Sequence, residues 1–109
     1  MLKEVYKINI SDVFTNMLEE IVLYYSNYSI KYSNSIRVEV YKAISILQVY
    51  PYIFPLISKS NLFRKVVIKN RFTIICSIEN NKVNLIYFLD SRRNNSSYMV
   101  EEEIEQYQV

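Results

Sequence analysis

The hydrophobic pattern changes its period near Leu62, and this change constrains the fold more than any other feature of the sequence. Before Leu62, apolar residues recur every three or four positions over long stretches, and after it they recur at every second position. The first spacing is typical of helices and the second of half-buried strands. The sequence therefore predicts a helical segment followed by a sheet whose strands are close in sequence.

The helical segment divides into two. A short alternating stretch, residues 2–10, predicts a first strand, and apolar residues at helical spacing then predict a helix over residues 12–28. A polar stretch interrupts the pattern before a second helix begins near Ser33. Pro51 cannot continue a helix, so this second helix is predicted to end there. Two helices joined by a short polar loop predict a helical hairpin.

The alternating stretches LFRKVVI, RFTIICSIE and KVNLIYFL predict three strands. The chain contains no glycine, so the turns between strands are expected at Lys69-Asn70 and Asn80-Asn81, where asparagine tolerates a positive φ. The Asn-Asn pair predicts a type I′ turn. The resulting fold class is α+β: an antiparallel sheet of about four strands in the order β-α-α-β-β-β, with the N-terminal helical hairpin packed on one face.

Length and composition exclude several classes of protein. The 109 residues suffice for a single domain, 1–109, in which residues 94–109 form an acidic tail with room for a short C-terminal helix. No apolar run approaches the ~20 residues of a membrane-spanning helix, and the N-terminus does not resemble a secretory signal. With no histidine and only Cys76, neither a zinc site nor a Cys–His pair can form. We expect a cytoplasmic protein with no cofactor, no metal and no membrane contact.

Charge is distributed unevenly along the chain. Residues 1–58 are neutral, residues 59–93 carry a net charge of +6, and residues 94–109 carry −4. A basic body predicts an anionic partner, and an acidic tail would screen part of that surface. The basic side chains of the middle segment are Lys59, Arg64, Lys65, Lys69, Arg71, Lys82, Arg92 and Arg93.

Three segments together resemble the RelE/ParE superfamily of bacterial toxins: AISILQVYPYIFP, LFRKVVIKNRFTIICSIENN and LIYFLDSRRN. The resemblance covers roughly residues 5–95. It implies the toxin half of a type II toxin–antitoxin module, of the kind associated with growth inhibition and plasmid stabilization. It further implies a hetero-oligomer with a cognate antitoxin that wraps and neutralises the toxin.

The superfamily contains two mechanisms. RelE-like members cut mRNA on the ribosome without a metal, using basic side chains and usually a tyrosine, whereas ParE-like members poison DNA gyrase. For a RelE-like mechanism, the resemblance assigns catalytic roles to Arg64, Arg92 and Tyr98, with Arg71 standing in for an arginine that the family pattern places at Thr73. Guanidinium groups can clamp phosphate, and a tyrosine can stack on a base or assist proton transfer.

Departures from the RelE-like pattern favour the ParE-like alternative. The second basic position of the strand motif holds Val66, the position of the middle-strand arginine holds Thr73, and no histidine is present to act as a base. A ParE-like block of an essential target such as gyrase is therefore the first hypothesis. The alternatives are a ribosome-dependent mRNA endonuclease and an inactive remnant that acts as a binding module, so enzymatic activity stays open.

Partner or phosphate binding is assigned to six cations, which are Arg64, Lys65, Lys69, Arg71, Arg92 and Arg93. Arg64, Arg71 and Arg92 are expected to converge on one hollow of the sheet. The tyrosines of the helical segment are expected to form the core and rim of the helical hairpin: Tyr24, Tyr25, Tyr28, Tyr32 and Tyr41.

Overall fold

A computed structural model describes residues 5–57 and 59–92 of the chain. The acidic tail with its predicted short helix, and the predicted site residues Arg93 and Tyr98, lie outside the described residues. Within them the element order is β-α-α-β-β-β with one turn of 3₁₀ helix after the second α-helix, as the sequence predicted for the main elements. No helix in these two ranges is long and apolar enough to cross a membrane.

Strand β1 spans Lys7–Ile10, helix α1 spans Asp12–Ser26 and helix α2 spans Ile30–Val49. Serine side chains cap both helices: the Oγ of Ser11 accepts the amide of Phe14 at 2.9 Å, and that of Ser29 accepts the amide of Tyr32 at 3.1 Å. The predicted start of α2 near Ser33 is wrong, because the Ser29 cap lets the helix begin at Ile30, inside the polar stretch. Pro51 ends α2, as predicted, and opens the 3₁₀ turn Pro51–Ile53.

The second half forms an antiparallel meander of β2 (Phe63–Ile68), β3 (Phe72–Glu79) and β4 (Lys82–Asp90), which confirms the three predicted strands. Lys69 and Asn70 both adopt a positive φ, 55° and 54°, so they take the I′-like turn. At the other turn only Asn80 does so, with φ of 54°, and the type I′ turn predicted for Asn80-Asn81 is therefore wrong.

The strand order is β1-β4-β3-β2, and β1 pairs with β4 in parallel, from Lys7 opposite Lys82 to Ile10 opposite Leu85. The sheet is therefore mixed: it is largely antiparallel, as predicted, while the pairing of β1, which the sequence pattern does not specify, is parallel. Helix α2 returns to the start of β1, where the Tyr6 amide donates to the Gln48 carbonyl at 2.8 Å. The chain therefore re-enters the sheet at the end where β1 began, and β2 runs parallel to β1. The two turns of the meander each reverse the direction, so β4 is again parallel to β1.

The main core lies between the helical hairpin and one face of the sheet. It contains Phe14 and Ile36 from the helices, with Phe72, Leu85 and Phe88 from the strands. A bulge in β4 helps to build it: Ile75 pairs with Tyr87 and Cys76 with Leu85, so Ile86 is the extra residue. This bulge turns both Leu85 and Phe88 toward the helices. On the opposite face the described residues form a smaller buried cluster, Phe63, Ile75 and Leu89.

Candidate functional site

An open cavity of about 370 Å³ lies where the helical hairpin meets the β2–β3 turn and the end of β4. Four tyrosines, one serine and two arginines line it, and we call it the tyrosine pocket. Its members are Tyr24, Tyr25, Tyr28, Ser29, Tyr32, Arg71 and Arg92. The aromatic wall therefore comes from the helices, and the cationic wall comes from the sheet.

Tyr25 anchors the aromatic wall to the core. Its ring packs edge-on against Phe72 at 5.6 Å between centroids and contacts the Tyr32 ring at 5.4 Å. Tyr24 and Tyr28 lie farther out, with ring centroids 5.5 Å apart, and Tyr28 is 75% exposed. The pocket thus has a fixed inner ring pair and an accessible outer ring pair.

A buried carboxylate fixes the base of the pocket. Asp90 is only 3% exposed; its Oδ2 accepts the Tyr25 hydroxyl at 2.6 Å and its Oδ1 accepts the Arg92 amide at 3.0 Å. Burial raises the pKa of Tyr25 to about 12, and the hydrogen bond to Asp90 acts in the same direction. Tyr25 is therefore neutral and donates this hydrogen bond at every physiological pH.

Two cations contact Tyr32 from the β2–β3 turn. Arg71 donates from Nη1 to the Tyr32 hydroxyl at 3.0 Å, and its guanidinium lies 5.6 Å from the ring centroid. The Nζ of Lys69 lies 4.7 Å from the same centroid. Both distances are within the range of a cation–π interaction. Tyr32 therefore positions positive charge at the edge of the pocket.

Arg92 joins this group from the end of β4. The Asp90 carboxylate holds its backbone amide, and the amide of the preceding Ser91 donates to the Arg71 carbonyl at 2.8 Å. The segment after β4 is thereby tied to the β2–β3 turn, which brings Arg71 and Arg92 to one cavity. Neither guanidinium forms an ion pair with any carboxylate in the part of the chain that the structure describes.

Arg64 lies elsewhere, and the expectation that it converges with Arg71 and Arg92 is wrong. In the sheet Arg64 lies opposite Cys76 of β3. Arg71 is five residues before Cys76, which corresponds to roughly 16 Å along an extended strand. The Nη1 of Arg64 donates to the Phe54 carbonyl at 2.6 Å, and its guanidinium lies 5.1 Å from the Tyr52 ring centroid. Arg64 therefore ties β2 to the segment that follows α2.

The remaining predicted residues are also separated. Lys65 is exposed on β2, on the face opposite Arg64, and Thr73 is half-buried on the face of β3 that the helices do not cover. Arg71 precedes the strand and turns toward Tyr32 of α2, whereas Thr73 faces away from the helices. This separation counts against Arg71 standing in for an arginine at Thr73.

Sequence reasoning missed the pocket, although it named most of its members. The tyrosines were expected as core and rim of the hairpin, and Tyr25 and Tyr32 do pack against the main core while Tyr24, Tyr28 and Tyr41 are exposed. The spacing of Tyr24, Tyr28 and Tyr32 by four residues was the available signal. Nothing in the sequence distinguished Asp90 as the carboxylate that connects both walls.

The fold is similar to that of solved bacterial protein structures. A chain described as the chromosomal ParDE TA system from P. aeruginosa superposes with a TM-score of 0.69 at 9% identity, covering 81% of this chain and 98% of that one. The conserved hypothetical protein HP0894 from Helicobacter pylori gives a TM-score of 0.55 at 15% identity, covering 80% and 96%. At 9% and 15% identity these likenesses concern the fold alone.

No protein-family model matches the chain, and no curated protein matches it significantly. The likeness to known proteins is therefore one of fold.

Proposed function

We propose that the chain is the toxin component of a type II toxin–antitoxin module, acting in the cytoplasm and neutralised by a cognate antitoxin. The observation that carries this proposal is the fold likeness to the P. aeruginosa ParDE chain, of which it covers 98% with a TM-score of 0.69. The basic middle segment supports it, because a net charge of +6 over residues 59–93 suits an acidic antitoxin segment.

Within this class we propose a ParE-like action, a block of an essential target such as DNA gyrase without hydrolysis. A metal-independent nuclease needs several cations around one phosphate to stabilise the charge that develops there. Arg64 is instead bonded to the Phe54 carbonyl, far from Arg71 and Arg92, and Val66 is buried. This separation supports a non-hydrolytic mechanism over the RelE-like one.

One observation favours the second candidate, a ribosome-dependent mRNA endonuclease. Arg71 and Arg92 line one open cavity with four tyrosines, and these residue types bind phosphate and stack on bases. For this candidate the cutting site would be the tyrosine pocket, with Arg64 playing no part.

Induced expression with two parallel readouts tests both candidates. We expect growth arrest with gyrase-linked DNA breaks, an SOS response and intact mRNA. Codon-phased mRNA cuts that disappear in Arg92→Ala and persist in the matched Lys65→Ala variant would instead establish the endonuclease. Normal growth at high expression would contradict toxicity and favour a remnant that acts only as a binding module.

The antitoxin is tested separately. A neighbouring gene that encodes a small antitoxin is expected, and its product should bind the purified chain at a rate that falls with added salt, because charge steers the encounter. Exposed cations of the middle segment, Lys65 and Arg92 among them, would contribute to this rate. An association rate that is independent of salt would contradict the electrostatic part of the proposal.

A further inference from the structure

The tyrosine pocket concentrates positive charge that the described residues leave largely uncompensated. Arg71 and Arg92 line it, and Lys69 lies over the ring of Tyr32. Among the described residues, Asp90 is the carboxylate bonded to this group, so these four side chains have a net formal charge of +2. The two Asp90 oxygens already accept hydrogen bonds from Tyr25 and from the Arg92 backbone. Each guanidinium therefore retains donors for a ligand, since Arg carries five and Arg71 uses one on Tyr32.

Helix α2 adds to this charge. Ser29, its N-cap, lines the pocket, so the helix begins at the cavity wall with its amide ends and the positive end of its dipole nearby. Guanidinium groups together with a helix start favour a phosphate group over a single carboxylate, because phosphate has more acceptor oxygens and carries up to two charges. The charge of +2 matches a phosphate monoester dianion.

The aromatic wall specifies the rest of the ligand. Tyr24 and Tyr28 expose their rings at the outer side of the pocket, 40% and 75% respectively, with centroids 5.5 Å apart. Tyrosine rings in such positions stack on nucleobases, whose flat faces all offer the same kind of surface. A volume of about 370 Å³ is at the lower end of the roughly 300–1,000 Å³ range for ligand sites, which suits one nucleotide unit.

We propose that the tyrosine pocket binds a 5′-nucleotide, with the phosphate monoester held by Arg71 and Arg92 and the base stacked on the outer tyrosines. Lys69 adds attraction for the phosphate from the edge of Tyr32. The same chemistry occurs in a free nucleotide and at the 5′-phosphorylated end of a nucleic acid strand. This site does not require the chain to be a toxin, and it lies apart from Arg64.

Calorimetric titration of the purified full chain tests the proposal. Adenosine 5′-monophosphate is expected to bind at least about tenfold more tightly than adenosine or inorganic phosphate, because each of these lacks half of the contacts. A 5′-phosphorylated tetra-adenylate binding more tightly than the mononucleotide, with its 5′-hydroxyl form binding weakly, would identify a strand end as the source. Equal or weaker binding of the phosphorylated strand would identify the free nucleotide. Tighter binding of O-phosphotyrosine than of the mononucleotide would overturn the proposal.

Variants assign the binding to the pocket. Arg92→Ala is expected to weaken nucleotide binding about tenfold or more, and its side chain is exposed, so the fold should be unaffected. Arg71→Lys keeps the positive charge but loses the planar set of guanidinium donors, so it should weaken nucleotide binding less than Arg92→Ala does. The matched control Lys82→Ala removes one exposed cation at the start of β4, at the other end of the strand from Asp90, and should change the affinity less than about twofold. Equal losses in Lys82→Ala and Arg92→Ala, or no measurable binding of any nucleotide to the wild type, would overturn the proposal.

The binding assay contains neither antitoxin nor cellular target, so its outcome is independent of the growth experiment. Nucleotide binding without growth arrest would leave this inference standing and remove the toxin assignment. Growth arrest without nucleotide binding would do the reverse.

Discussion

Arginine and tyrosine meet at two places in the molecule, and the two places differ in what the arginine bonds to. Arg64 lies over Tyr52 and donates to the Phe54 carbonyl, so it joins a strand to the segment that follows α2. Arg92 lies in the tyrosine pocket, where its backbone and not its guanidinium is held by Asp90. Residue type alone therefore does not assign a role. A backbone carbonyl within reach makes the first arginine structural, whereas the guanidinium of the second forms no ion pair within the described residues and lines a cavity.

The largest effect is expected at Asp90, which supports the pocket from below. Asp90→Ala removes the acceptor of the Tyr25 hydroxyl and of the Arg92 amide, leaving two donors without their partner. We expect a loss of about 2–4 kcal/mol in the free energy of unfolding, measured by urea denaturation. The control Glu79→Ala, an exposed carboxylate on β3, should change it by less than about 0.5 kcal/mol. Equal effects of the two variants would show that the Asp90 network does not stabilise the fold.

The next largest change in the free energy of unfolding is expected for one of the two arginines, Arg64. Arg64→Ala leaves the Phe54 carbonyl without its donor and should cost about 1–3 kcal/mol of unfolding free energy. Arg92→Ala should cost less than about 0.5 kcal/mol, because its side chain is exposed. The same denaturation measurement checks both. If Arg92→Ala were the more destabilising of the two, the division into a structural and an open arginine would be wrong.

The smallest effect concerns pH and appears only in alkaline solution. The folded-state pKa of Tyr25 is raised to about 12, chiefly by burial and also by Asp90, against about 10 for an unfolded tyrosine. The neutral form is favoured in the fold, so the stabilisation is complete below about pH 10 and is lost as the pH rises through about 12. Stability should therefore fall more steeply in the wild type than in Tyr25→Phe over this range. Ultraviolet titration that places Tyr25 near 10 would contradict this.

Much of the fold could be predicted because local patterns report local structure. The alternation in RFTIICSIE and the helical spacing before Pro51 both reflect one buried face, and each produced the predicted element. The direction of β1 could not be predicted, because a strand can pair with a neighbour in either direction and its side-chain alternation is the same in both. Only the return of α2 to Tyr6 makes β1 parallel to β4.

The site was predictable only in part. Arg71 and Arg92 were named from the sequence, yet their shared cavity depends on Asp90, whose two hydrogen bonds span 65 residues in one direction and two in the other. Arg64 was grouped with them because it occupies the first basic position of the strand motif. That motif contains no information on the Phe54 carbonyl, to which Arg64 donates in the folded chain. The bulge at Ile86 was equally hidden, since an extra residue in a strand leaves no clear mark on the alternation.

The amino-acid sequence by itself determined the elements: where helices give way to strands, where Pro51 stops a helix, and that the middle of the chain is basic. These follow from interactions between residues a few positions apart, which the order of side chains specifies directly. The tertiary structure alone decided the parallel pairing of β1, the separation of Arg64 from the other arginines and the assembly of the tyrosine pocket. Those depend on contacts between distant segments, whose geometry is fixed only when the helices pack on the sheet and bury their shared core.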